Sequence, residues 1–141
     1  MKYACLVYNN PNDTASITDA DLDRMIANWD VWMSELEKLG KHVFSSGLQS
    51  TVTATTLRKC NGQVAISDGP FAETKEILGG FTIIEARDLN EALIHAKKLA
   101  EICGGTVEVR PQFDPFADLI DPMDKRCAAA FKRTIEKAES Q

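Results

Sequence analysis

The segment Ser67-Asp68-Gly69-Pro70-Phe71-Ala72-Glu73-Thr74-Lys75-Glu76 sets carboxylates at Asp68, Glu73 and Glu76 beside the ammonium of Lys75. Carboxylates can move protons and ammonium groups can stabilise anions, so the segment carries the residue types of acid–base chemistry. Asp68 is the candidate base or orienting group, with Lys75 or Arg110 as the cation that would hold a developing anion. A structural reading competes for the same residues. An Asp ahead of Gly69-Pro70 can accept bonds from downstream backbone N–H groups and hold a turn. Glu73, Lys75 and Glu76 can equally form a solvated loop face or the mouth of a cleft, with Phe71 turned inward. Tyr8 is either plain packing or a donor to a ligand. Glu108 and Arg110 alternate with Val107 and Val109, with Glu85 on the preceding strand; they form a binding site if their face is enclosed and solvent residues if it is open.

Other chemistries find little footing. There is no GxGxxG, Walker loop, GxSxG or HExxH, so neither a cofactor nor a metal is expected. The histidines are His42 and His95. His95 falls off the apolar stripe of its helix and reads as a solvated surface residue; His42 reads as a polar residue opening a strand. The cysteines, Cys5, Cys60, Cys103 and Cys127, form no CxxC pair and read as buried free thiols in a reducing cytosol.

The elements that must position these groups are legible from periodicity. Tyr3 to Tyr8 is apolar throughout, as in a strand covered on both faces. Thr18 and Asp21 form a capping box ahead of a helix whose stripe is Leu22, Met25, Ile26, Trp29, Met33, Leu36 and Leu39, stopped at Gly40. A strand follows from His42 to Gly47. Thr53 to Lys59 and Gln63 to Ser67 then flank Asn61-Gly62, a hairpin signal. Gly80 to Ala86 reads as a strand. Asp88 caps a second helix with the stripe Leu89, Ala92, Leu93, Ala96, Leu99, Ala100 and Cys103, and Thr106 to Phe113 is the last strand. Asp121-Pro122 opens a third helix. The order β-α-β, hairpin, β-α-β predicts an α+β, ferredoxin-like fold over residues 1–113 with an inserted central hairpin. Residues 114–141 form a helical extension packed on the domain or on a dimer partner. Helices cover one sheet face only, so the apolar first strand implies a homodimer whose second copy covers the other.

The chain has 141 residues, is 44% hydrophobic and carries a formal net charge of −5, which suits one globular domain and argues against nucleic-acid binding. Its first residues turn polar too soon for a signal peptide, and no apolar run is long enough to span a membrane, so a cytoplasmic protein is expected.

The segments TATTLR, SDGPFAETKEILGGF, IIEARDLNEAL and GGTVEVRP, with MKYACLVY and the tryptophan-bearing first helix, resemble the YCII-related family, in particular its DGPF-domain branch. The branch takes its name from the tetrapeptide that stands here as Asp68 to Phe71. The resemblance spans about residues 1–113 and implies a ferredoxin-like fold that dimerises through its sheets into a dimeric α/β barrel. It implies likeness to small-molecule enzymes of the muconolactone-isomerase type, with a His–Asp pair in the cleft of which Asp68 could be the acidic member. It also implies an indirect link to extracytoplasmic-function sigma factors. Thr82 stands where the branch often has an aromatic residue, which implies a more open pocket. Three readings follow. The chain is a small-molecule enzyme with acid–base chemistry in the barrel cleft, a ligand-binding or regulatory module tied to a sigma factor, or a structural dimer whose DGPF loop closes the barrel.

Overall fold

The computed structural model describes residues 1–139. The chain divides into two compact units, Met1–Pro111 and Gln112–Gln141. In the first, β1 (Lys2–Asn9), α1 (Pro11–Thr14) and α2 (Asp19–Lys38) precede β2 (His42–Gly47). A single 3-10 turn (Thr51–Thr53) leads into β3 (Thr55–Cys60) and β4 (Gln63–Asp68), then come β5 (Ile77–Glu85), α3 (Leu89–Cys103) and β6 (Thr106–Pro111). The main sheet runs β2-β5-β1-β6 with every pair antiparallel. That order, with α2 and α3 as the crossovers, is the ferredoxin-like arrangement expected. β3 and β4 pair only with each other.

Local chemistry places the ends. The Thr18 hydroxyl accepts from Asp21 N at 3.2 Å and the Asp21 carboxylate accepts from Thr18 N at 3.2 Å, a reciprocal box that starts α2. Asp88 accepts from Glu91 N at 2.9 Å and starts α3. Asn61 and Gly62, at φ 50° and 79°, supply the positive φ pair that a two-residue hairpin turn needs. An additional one-turn helix, α1, follows Asn10, whose side chain accepts from Asn12 N at 3.0 Å.

Both helices lie on one face of the main sheet. Trp32 and Leu36 of α2 and Ala92, Ala96 and Leu99 of α3 close over Tyr3, Cys5, Val7 and Ile84. The apolar stripes differ from the periodic reading. Trp32 is 2% exposed at the centre of the core, whereas Leu22, Ile26 and Leu39 are about half exposed. β1 is not covered on both faces in the single chain: Ala4, Leu6 and Tyr8 are only half-buried. The cysteine expectation holds for Cys5, whose thiol burial pushes up to about 11, but Cys60 and Cys127 are exposed; all four are free.

His95 is buried rather than solvated. The α3 face toward α2 is Ala92, His95, Ala96 and Leu99, so the ring takes a core position that a stripe of Leu93 and Ala100 would have denied it. Ion pairs flank it, Lys98 to Glu35 at 2.7 Å and Lys41 to Glu91 at 2.9 Å, while its buried Nδ1 has no hydrogen-bond partner among the described residues.

The second unit holds α4 (Pro122–Glu139), capped by Asp121, whose carboxylate accepts from Met123 N at 2.8 Å and Asp124 N at 3.2 Å. Phe113 and Phe131 meet with ring centroids 5.9 Å apart, and Lys132 Nζ lies 5.3 Å over the Phe116 ring. No helix among the described residues is long and apolar enough to cross a membrane.

Leu36→Ala, which empties a fully buried site, is expected to cost about 2–5 kcal/mol by chemical denaturation. Val31→Ala on the exposed side of the same helix should stay within about 0.5 kcal/mol; equal losses would mean that α2 docks by another face. Acid should act in two windows. Burial, then the Lys41 ammonium, lowers the His95 pKa below 6.5, so the unfolded chain takes up that proton first and stability declines as pH falls through 6.5. The Arg87 backbone N–H, then Lys41, holds Glu91 down to about 2, so its contribution is complete above 4.5 and is lost between 4.5 and about 2. Denaturant midpoints against pH should flatten in the upper window for His95→Gln and in the lower for Glu91→Gln; an unchanged slope in either variant removes that group as the cause.

Candidate functional site

A cleft of about 570 Å³ opens between α2 and the β2-β5-β1 part of the sheet. Trp29 and Met33 from α2 and Val43 from β2 give it apolar walls; Phe44 and Phe81 border it from β2 and β5, where strand alternation turns their side chains to the other face of the sheet. His42, Ser45, Thr82 and Asn9 are its principal polar side chains. Three of these form a chain: His42 Nε2 lies 3.0 Å from Ser45 Oγ, which donates to Thr82 Oγ1 at 3.0 Å. A serine hydroxyl has one proton. Thr82 carries a hydroxyl proton as well, so the chain has two directions: with the Ser45 proton on Thr82, Ser45 accepts from His42, Nε2 carries hydrogen and Nδ1 is the basic nitrogen; with the Thr82 proton on Ser45, Ser45 donates to Nε2 and the tautomer reverses. Among the described residues Nδ1 has no protein partner.

The backbone produces this alignment through an irregularity. Positions 42 and 45 are an odd number of residues apart and would face opposite sides of a regular strand. The register shifts between His42 and Phe44, so that His42 pairs with Ile84 and Ser45 with Thr82, residues of the helix-covered face. Close approach of β2 to β5 is set at Gly80, where a Cβ would come within 2.8 Å of Ser46 O.

A second, more polar cleft of about 540 Å³ adjoins the first and shares Asn9 and Cys103 with it. Asp13, Asp21, Arg24 and Glu101 contribute charge to it. Glu76 also lines it and accepts from Thr106 Oγ1 at 3.0 Å.

The residues singled out in the sequence are distributed differently. Asp68 ends β4, exposed, and its carboxylate has no hydrogen-bond partner among the described residues. The corner after it is held from β3 instead. Gly69, at φ 93°, donates its N–H to Ala54 O at 2.7 Å, and Thr56 Oγ1 donates to Gly69 O at 2.7 Å. Arg58 donates to Phe71 O at 3.1 Å, and Thr74 Oγ1 to Glu76 O at 2.6 Å. The Phe71 ring is not turned inward but is 74% exposed. Glu73 and Lys75 are exposed and make no ion pair among the described residues. Tyr8 follows a register shift in β1 and is half-buried between β5 and β6. Arg110 is opposite Ala4 in the sheet, with its guanidinium 3.6 Å from the Glu108 carboxylate. Asp68, Phe71, Glu73 and Lys75 thus share one exposed segment, and none of the six candidates lines the cleft that holds His42. His42 itself was missed because no sequence signal marks the bulge that aligns it with Ser45. No group of three or more metal-ligating side chains is assembled among the described residues.

Comparison with known proteins agrees with this architecture. The YCII-related domain model matches residues 1–114. An uncharacterized protein of Rhizobium meliloti (strain 1021) is 37% identical over 113 residues, covering 79% of this chain and 91% of that protein. The match takes in β1 through β6, and with them the cleft and its hydrogen-bonded chain. On the extent of that match and the identity to this relative, the chain belongs to the YCII-related domain family.

Proposed function

We propose that this domain takes a small, mostly apolar ring compound bearing an oxygen function into the α2–sheet cleft and moves a proton on it, with His42 as the acid–base group. The observation that carries the reading is the His42–Ser45–Thr82 chain inside a cleft walled by Trp29 and Met33. Imidazole is the side chain suited to exchanging a proton near neutral pH, and a fixed partner on one nitrogen leaves the other to act. Nδ1 would remove a proton next to a carbonyl, and the positive charge formed on the ring would spread through Nε2–H to Ser45. Return of the same proton to another atom of the substrate completes an isomerisation or tautomerisation with no other reactant. Trp29 and Met33 would hold the ring and exclude water.

A second copy of the chain belongs to the same proposal. The sheet face away from the helices carries Leu6, Phe44, Phe81 and Ile83, with Phe44 54% exposed. The β3–β4 hairpin adds Leu57 and Ile66 and the segment after it Phe71, all more than half exposed. A lone two-stranded hairpin is marginal in water, and this much apolar surface favours a shared cover. Packing of two sheets supplies it, and gives Asp68, Glu73 and Lys75, together with Tyr8 and Arg110, a second surface to serve.

A panel of cyclic and aryl ketones in deuterated buffer tests the chemistry directly. The protein should accelerate loss of the carbon-bound proton signal next to the carbonyl, and His42→Gln should slow it about 100-fold or more. No protein-dependent exchange across the panel would sink the reading. Thr82→Val removes the acceptor of the Ser45 hydroxyl and should turn that hydroxyl toward His42, moving the ring proton from Nε2 to Nδ1 in nitrogen-detected NMR. Retention of the Nε2–H form would mean that Thr82 does not set the tautomer. Light scattering at micromolar concentration should give a dimer, and Ile83→Lys a monomer; a monomeric wild type rejects the shared cover.

A further inference from the structure

We infer that Asn9 is the side chain that reads the ligand's polar group, and that the ligand presents a hydrogen-bond donor and acceptor side by side, as in a carboxamide, a lactam or a carboxylic acid. The inference rests on the reading of the α2–sheet cleft as a small-molecule site. Asn9 ends β1 and lines both clefts, at the point where the apolar one meets the polar one. It is half-buried, yet its amide makes no hydrogen bond to protein among the described residues. A primary amide offers two donors and two acceptor lone pairs in one plane, and a partly buried set left unused is unfavourable unless something else takes it up.

Two glycines leave open the space that this amide occupies. A Cβ on Gly79 would come within 2.9 Å of Asn9 Nδ2. A Cβ on Gly105 would collide with Asn9 Oδ1 and stand 2.5 Å from Tyr8 O. Glycine in or beside a strand commonly marks close approach by another group; at Gly79 in β5 and at Gly105 just before β6 the approaching group includes the Asn9 amide. The wedge fixes the plane of the amide whichever way its oxygen and nitrogen are assigned. A ligand ring held by Trp29 and Met33 and a polar substituent read by Asn9 would then share the cleft with His42.

Benzamide and α-methylstyrene, a planar isostere with carbon in place of the amide oxygen and nitrogen, separate recognition from mere occupancy. Ligand-observed NMR on the full chain gives both dissociation constants. Asn9→Leu keeps the shape and removes the polar atoms; it should weaken benzamide about tenfold and leave α-methylstyrene unchanged or tighter. Gly79→Ala should weaken benzamide by a smaller factor with Asn9 still present, because its Cβ presses on the amide and meets Val7 O only at 3.9 Å. If Asn9→Leu does not fold, Gly79→Ala alone carries the comparison. Parallel changes for both probes, or benzamide unaffected by the substitutions, overturn the assignment. Binding of α-methylstyrene but not benzamide by the wild type rejects the role of Asn9 and leaves the cleft reading in place. Binding of neither probe removes the cleft reading and this inference with it.

Discussion

The burial of Trp32 and Leu36 from one helix and Ala92, Ala96 and Leu99 from the other against Tyr3, Cys5 and Ile84 is the constraint from which the other features follow. It commits the main sheet to one dry face. The helices do not cover that face to its edge. α2 and α3 pack over β1, β6 and the end of β5 at Ile84, and Trp29 and Met33 of α2 line the cleft toward β2. The uncovered strip is the cleft. Its polar groups are therefore side chains of the core face that lie just beyond the core, with Thr82 at 1% exposure marking the boundary.

The charged groups between the helices are subordinate to this packing. Glu35–Lys98 and Lys41–Glu91 bracket the seam where α3 meets α2 and the start of β2, and His95 is enclosed between them. Pairs this accessible add modest energy. They tie α3 to α2 and to the residue ahead of β2 at two points. Lys41 immediately precedes His42, so its pairing with Glu91 also anchors the strand end that carries the imidazole.

Much of the fold could be read from residue order. The reciprocal Thr18–Asp21 cap, the Asp88 cap and the Asn61-Gly62 turn are local devices, and local devices are written in adjacent residues. The strand and helix order then leaves few topologies. The site was far less legible. Trp32 and His95 replaced residues of greater apparent hydrophobicity because helix faces are chosen by what they meet, which periodicity alone does not contain. The segment from Asp68 to Glu76 drew attention by its charge, yet its corner is tied by Thr56 and Arg58, residues distant in sequence, and its carboxylate at Asp68 has no hydrogen-bond partner among the described residues. His42 and Ser45 acquire a common direction only through a bulge, and a bulge depends on pairing with β5 rather than on the residues that undergo it.

The separate β3–β4 sheet bears on how the molecule comes apart. Its strands contribute nothing to the main sheet, and every residue of β4 is exposed. Breaking its rungs leaves the core untouched, so the hairpin forms its own cooperative unit with an opening free energy well below that of the whole domain. A protein organised in this way has two melting scales on one chain. Its scaffold is persistent, while the arm bearing Asp68 exchanges its amide hydrogens and meets proteases on a faster clock, slowed only by whatever covers that arm.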